Sequence, residues 1–319
     1  MKVIAKYSMH LFLPLIKAYL KNKKIFILYR FGKAIGDQLC MSAIAKEIYV
    51  QKKLNVVIFS SYPELFVNNP YVYLNIDIKK YNTLTQKIIK KLLNVSKCQY
   101  IKNFCFHNVD GREFEKFMRE ESLKISLIEM HTLHFHNGLN LKLSSPDFFF
   151  SYSEKLKYKE LFKLPAKFAI IQPLGKITYT PNKEWGFENY QKVVNITKND
   201  INWIQIGFKS EELLNGVIDF RGKTKNLREL AFVISKSSFT LSNEGLINHF
   251  SAAVGVKSFV VFSGFSHVEI ANYNTTVPIV SEPQVKCSPC WLLESCTKEQ
   301  KWCTYNISVD KVVQSVSKV

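Results

Sequence analysis

The feature that most constrains this chain is a regular exchange of short apolar runs and helical patterns in its C-terminal half. The run Phe168-Ala169-Ile170-Ile171-Gln172-Pro173 reads as a strand, followed by a helix near 187–197, a strand at 203–206 and a helix near 210–214. A strand at 217–219, a helix at 227–235, a strand at 238–241, a helix at 247–254 and a strand at 258–262 continue the series. Short apolar runs rich in β-branched and aromatic residues fit strands buried on both faces, and strands joined through helices run parallel. The pattern therefore predicts an α/β fold with a parallel, doubly wound sheet.

The N-terminal half repeats the theme less clearly. Ile25 to Tyr29 is a short apolar run, a loop with Gly32 and Gly36 follows, and Asp37 opens a helical pattern through Leu39, Ile44, Ala45 and Ile48. Asn55 to Phe59 reads as a second buried strand, and the alternation fades toward residue 145. A chain of 319 residues, 47% of them hydrophobic, can bury two cores of ordinary size. We place the domains at 1–155 and 156–319, because Ser144-Ser145-Pro146 and a charged helical stretch at 153–163 precede the fresh strand at 168.

The formal charge is +18, from 44 Lys and Arg against 26 Asp and Glu, and such a field attracts phosphates, nucleic acid or an anionic membrane surface. Nucleic acid is disfavoured, since the basic residues are spread along the chain and no stacking aromatic motif accompanies them. No apolar run approaches the roughly 20 residues a spanning helix needs. Residues 1–24 combine an apolar patch at Leu11, Phe12, Leu13, Leu15 and Ile16 with six lysines. They end in a strand-like run rather than a small-residue cleavage site, so we expect a cytoplasmic protein. The segment reads either as a basic amphipathic helix on an anionic membrane surface or as a first helix packed on the domain.

In open α/β sheets ligands bind where strands end and helices begin, because backbone N–H groups converge there. Four loops qualify. The first, 30–37, carries Arg30, Lys33 and Asp37; the carboxylate can act as a general base or cap the helix. The second, 172–185, carries Lys176, Lys183 and Trp185, and its lysines suit a departing diphosphate or a solvated basic loop. The third, Arg221-Gly222-Lys223-Thr224, allows close backbone approach or simply a tight turn. The fourth runs from Ser242 through Asn243, Glu244 and Gly245 to His249, where a diphosphate could rest on N–H groups; a lone helical histidine is also commonly structural.

Taken in order, these loops resemble the heptosyltransferases of lipopolysaccharide synthesis, glycosyltransferase family nine. The resemblance rests on Arg30 through Asp37, on Gln172-Pro173 through Lys183-Glu184-Trp185, on Gly222-Lys223-Thr224 with 227–230, and on Asn243-Glu244 through Gly255. It implies the GT-B architecture, two Rossmann-like doubly wound domains facing a central cleft, with the acceptor on the first and the nucleotide sugar on the second. It also implies an inverting transfer without a required cofactor or catalytic metal. ADP-heptose would be the donor and a lipid-linked lipopolysaccharide or lipooligosaccharide core the acceptor. By that analogy Asp37 is the catalytic base and Arg30 and Lys33 lie on the acceptor side. Lys183 contacts the donor phosphates, Glu211 or Glu212 approaches the ribose, and Gly222, Lys223 and Thr224 approach the base. Glu244, Gly245 and His249 would line the diphosphate and sugar pocket. The family usually has Asp, a small residue and Gly in the last loop, whereas this chain has Glu244, Gly245 and Leu246. A different nucleotide sugar, or a noncatalytic basic binding protein, is the alternative.

Seven cysteines, without an export signal, read as thiols rather than a disulfide framework. Cys287, Cys290, Cys296 and Cys303 have a spacing that a structural zinc would accept, and the other reading is free structural thiols. His131, His134 and His136 cluster at what reads as a helix end rather than a metal site.

Overall fold

A computed structural model describes residues 25–30, 34–87, 124–132, 139–142, 144–175 and 179–318. The basic segment 1–24, Lys33, Lys176, His134 and His136 lie outside the described residues. The chain forms two compact units, one holding the first three strands and Ile128–Phe149, the other running on from Phe150. Each has its own parallel sheet.

In the first unit β1 (Ile25–Arg30), β2 (Asn55–Ser60) and β3 (Val72–Asp77) pair in sequence order, all parallel. Their inward residues Ile27, Tyr29, Val57, Phe59 and Ile76 make one apolar cluster. Helix α1 (Ile35–Lys52) buries Leu39, Ile44, Ala45 and Ile48, the positions its periodicity predicts, and ends at Lys53 in the left-handed region.

The second unit is built on six parallel strands: β4 (Ala169–Gln172), β5 (Trp203–Gln205), β6 (Ile218–Asp219), β7 (Phe239–Asn243), β8 (Lys257–Val261) and β9 (Thr276–Ile279). Their order is β6-β5-β4-β7-β8-β9, so the winding reverses between β4 and β7. In sheets of this kind ligands bind outside the carboxyl ends of the strands on either side of such a reversal.

Helix α2 (Tyr152–Leu161) starts in a capping box between Ser151 and Glu154. The helix α3 (Phe187–Thr197) buries Tyr190, Val193, Val194 and Thr197, a spacing of three, four and seven from the first. Asn226 caps α4 (Leu227–Lys236) by accepting from the N–H groups of Arg228 and Glu229. Arg228 is buried, and Glu154 of α2 meets it with both oxygens, at 2.5 and 2.9 Å. Helix α5 (Leu246–Val254) ends at Gly255, whose φ of 74° suits a residue without Cβ.

Two sequence expectations need correction. No helix forms at 210–214; a turn-rich loop does. The buried Gln205 side chain replaces the helix, donating to Glu212 O (2.7 Å) and accepting from Leu214 N (2.8 Å). Gly207 and Gly216, both at positive φ, bracket the stretch with backbone conformations a right-handed helix does not use. The edge strand β9 went unread because Pro278 interrupts its pattern, yet an edge tolerates a residue that cannot donate to a ladder. Beyond it, α6 (Trp302–Tyr305) and α7 (Val309–Val316) close the chain, and Val312 and Val316 join the main core. Among the described residues, no helix is long and apolar enough to cross a membrane.

Candidate functional site

The winding reversal of the second unit gathers polar side chains from several segments. At the end of β7, the buried Asn243 amide ties three segments together. Its carbonyl oxygen accepts from Trp185 N at 3.2 Å and from the Tyr190 hydroxyl at 2.9 Å, and its NH2 donates to Pro173 O at 3.0 Å. One side chain thus fixes the exit of β4, the turn before α3 and the loop before α5. Burial holds the Tyr190 phenol well above its ordinary pKa, so it remains a donor.

On this frame sits the short 3-10 turn Pro181–Lys183. The Lys183 ammonium pairs with Glu244, and the two side chains are only 23% and 8% exposed. It also lies 5.5 Å from the ring centre of Tyr179 and 5.1 Å from that of Phe265, so aromatic faces complete its surroundings. Gly245, next to Glu244, opens α5, and a Cβ placed there would meet nothing within 4 Å. An ammonium, a carboxylate and a helix start beside open space can meet an anionic group and a hydroxyl-rich one together.

A second corner forms where β5 ends. Glu211 lies half-buried with its carboxylate folded over Gly207, so a Cβ at position 207 would collide with it. Gly222 donates its N–H to Gly207 O at 2.8 Å and has φ of 67°, which brings the Arg221–Thr224 turn against the same loop. Arg221 holds the Glu211 carbonyl and the carboxylate of Asp219. Hydrogen bonds from Arg221 and then Lys209 hold Asp219 well below the usual carboxylate range. Burial raises the Glu211 pKa, with a further push from the nearby charge of Glu184. Burial raises Glu184 as well, against a 2.7 Å hydrogen bond from Gly175 N and the attraction of Lys301. Glu212 is exposed, and Lys223 is exposed with its ammonium over Phe220.

In the first unit, Arg30 at the end of β1 is 2% exposed and pairs with Asp37, in the first turn of α1. Ala34 occupies the N-cap without a side-chain bond, so Asp37 is not the capping residue. Its carboxylate is oriented by Arg30 and stands at the helix end that favours negative charge.

His249 is buried, and its Nδ1 lies 2.7 Å from the Tyr273 hydroxyl. His131 is buried too. The cysteines Cys287, Cys290, Cys296 and Cys303 are free thiols. Burial pushes the Cys290 thiol up, and the charges of Cys303, Cys287 and Cys296 add to that. Among the described residues, no group of three or more His, Cys, Asp or Glu side chains is arranged to hold a metal ion.

The sequence did not mark Asn243 as an organiser, Glu184 as a neighbour of Glu211, or Tyr179 and Phe265 as walls of the lysine site. Asn243 could have been found from its place between a strand and Glu244. Phe265 gives no local signal, because it reaches Lys183 from a distant loop.

The fold and the sequence both have relatives. A family model described as glycosyltransferase family 9 (heptosyltransferase) matches residues 125–302, and no curated protein matches the chain. Among solved structures, the dodecameric iron-containing glycosyltransferase TibC of enterotoxigenic E. coli H10407 superimposes with a TM-score of 0.65 at 13% identity, over 93% of this chain and 76% of that one. TibC is also known in complex with ADP-D-beta-D-heptose. ADP-heptose lipopolysaccharide heptosyltransferase II of E. coli gives 0.62 at 12% identity, over 92% and 98% of the two chains. A family 9 glycosyl transferase of Veillonella parvula gives 0.65 at 13%, over 92% and 96%. At such identities the likeness establishes the GT-B fold, and the family model, spanning more than half of the sequence, establishes the rest: the chain belongs to glycosyltransferase family 9 (heptosyltransferase).

Proposed function

We propose that this family 9 enzyme transfers heptose from ADP-heptose to a lipopolysaccharide or lipooligosaccharide core acceptor, inverting the anomeric centre, at the inner face of the cytoplasmic membrane. The observation that carries the reading is the Lys183–Glu244 pair beside Gly245 at the winding reversal of the second sheet. The donor is supported by TibC, described with ADP-D-beta-D-heptose, and by a neighbour described as an ADP-heptose transferase.

In this mechanism Asp37 accepts the proton of the acceptor hydroxyl. The acceptor oxygen bonds to the anomeric carbon as the bond from that carbon to the diphosphate oxygen breaks, and ADP departs. Lys183 and the N–H groups opening α5 offset the charge that develops on the leaving diphosphate. Glu244 accepts from sugar hydroxyls, and Glu211, rather than the exposed Glu212, accepts from the ribose. The turn Gly222–Thr224 borders the base.

The test is to incubate the protein with a heptose-deficient lipooligosaccharide and ADP-heptose, with UDP-, GDP-, CMP- and dTDP-sugars in parallel, and to weigh the product by mass spectrometry. Addition of one heptose from ADP-heptose alone is expected. Transfer only from another nucleotide sugar would replace the donor, a reading favoured by the bulky Leu246 beside Gly245. No transfer from any of them would overturn the proposal.

Two peripheral features belong to the same proposal. Residues 1–24 would rest on anionic lipid, so their deletion should abolish sedimentation with anionic liposomes. The four tail cysteines do not stand together as a ligand set, so they would have to draw in around a structural zinc. Elemental analysis, reading iron as well because TibC is described as iron-containing, should find about one metal per chain that Cys290→Ser removes.

A further inference from the structure

Lys183 stands on a three-residue 3-10 turn, too short to hold its own position. The support comes from the far end of the chain. Thr180 donates its hydroxyl to Leu292 O at 2.8 Å, and Asn182 donates its amide to Leu292 O at 2.8 Å and to Glu294 O at 2.6 Å. Both side chains are buried, at 2% and 4% exposure. Trp185 donates its indole N–H to Ile307 O at 3.0 Å. The remaining tie is ionic. The half-buried Lys301 ammonium donates to Pro181 O at 3.1 Å and to Glu184 O at 3.0 Å, the carbonyls on either side of Asn182-Lys183.

We propose that Lys301 is a positioning residue for Lys183: by bracketing the carbonyls of Pro181 and Glu184, it fixes the turn from which Lys183 meets the donor diphosphate. A solvated lysine would not hold two backbone acceptors more than a hundred residues away. The ammonium suits this task because it presents three donors at one point and strengthens each bond by its charge. The tail thereby becomes part of the donor site without touching the donor.

The inference rests on the reading that Lys183 binds the diphosphate, so the experiment tests the two separately. Calorimetric titration with ADP is run on the full-length protein, on Lys183→Met, Lys301→Met, Lys301→Arg and the Lys183→Met/Lys301→Met pair, each with its melting temperature recorded. Lys183→Met should weaken ADP about tenfold or more, and Lys301→Met by about three- to tenfold. Lys301→Arg, which can also donate to two carbonyls, should recover most of the loss. In the Lys183→Met background the second substitution should change nothing further.

Unchanged ADP affinity in Lys301→Met, or losses that simply add in the double variant, would overturn the positioning role while leaving Lys183 in place. Unchanged affinity in Lys183→Met would overturn the reading beneath it, and with it this inference. Should Lys301→Met fail to fold, Thr180→Val removes another tie of the same turn to Leu292, and the same non-additivity with Lys183→Met decides the question.

Discussion

The two units place their proposed chemistry on different kinds of support. In the first, Asp37 is oriented by Arg30, which belongs to the strand next to it in sequence. The second builds its corner from three loops and the tail, joined by hydrogen bonds between side chains and backbone across 58 to 122 residues of chain. A base needs one well-aimed oxygen, whereas a diphosphate needs several groups held at fixed separations. The contrast predicts that the first unit fails at the chemical step and the second fails at binding.

The largest effect should come from Asp37→Asn. It is expected to lower kcat at least about 100-fold while leaving ADP affinity unchanged, as loss of a general base does. A comparable loss of ADP affinity, read by calorimetry, would erase the division between the units. Next, Glu211→Gln should weaken ADP about tenfold but 2′-deoxy-ADP much less, because a carboxylate is the stronger acceptor for a ribose hydroxyl. Equal losses for both nucleotides would remove Glu211 from the ribose 2′-hydroxyl.

A finer test uses pH. Burial and Glu184 both raise the Glu211 pKa, so nucleotide affinity that needs the carboxylate should fall, as pH drops, at a value above the ordinary glutamate range. Glu184→Gln removes the repulsion and should move that midpoint down. A midpoint unmoved or raised would contradict the coupling. For stability the sign is opposite to that of a paired acid: a raised folded pKa favours the fold below the unfolded value and is lost as pH rises through the folded one.

The smallest effect should be at Asp219, away from the proposed reaction. Its pKa is depressed by Arg221 and Lys209, so it stabilises the fold above the unfolded carboxylate value and ceases to as pH falls through the folded one. Asp219→Asn should lower stability modestly at neutral pH, where that contribution is fully present, and move acid unfolding, followed by circular dichroism, to modestly higher pH. A shift to lower pH would reverse the assigned cause.

The uneven legibility of the chain has the same origin as the contrast between the units. Val193 and Val194 could be read as buried because a helix repeats every 3.6 residues, and β7 because its run is bounded by turns. The loops after β4, β6 and β7 could be located because strand ends are where ligands bind. What sequence could not give were groups united only by folding. Asn243 serves Trp185, Tyr190 and Pro173, and Lys301 serves Pro181 and Glu184, and no local pattern announces those partners. Pro278 hid an edge strand, and the Gln205 side chain did the work assigned to a helix at 210–214. The roles proposed for Lys183 and Glu244 come from the family resemblance and not from any local pattern.

The most direct test of the central claim, that the donor is held at the winding reversal of the second unit, is amide hydrogen exchange of the intact protein with and without saturating ADP. The account predicts added protection at Gln172–Gly175, Pro181–Trp185, Gly207–Glu211, Arg221–Thr224 and Asn243–His249, with the first unit's strands β1 and β2 unchanged. Protection confined to the first unit, with those five segments exchanging as before, would contradict it.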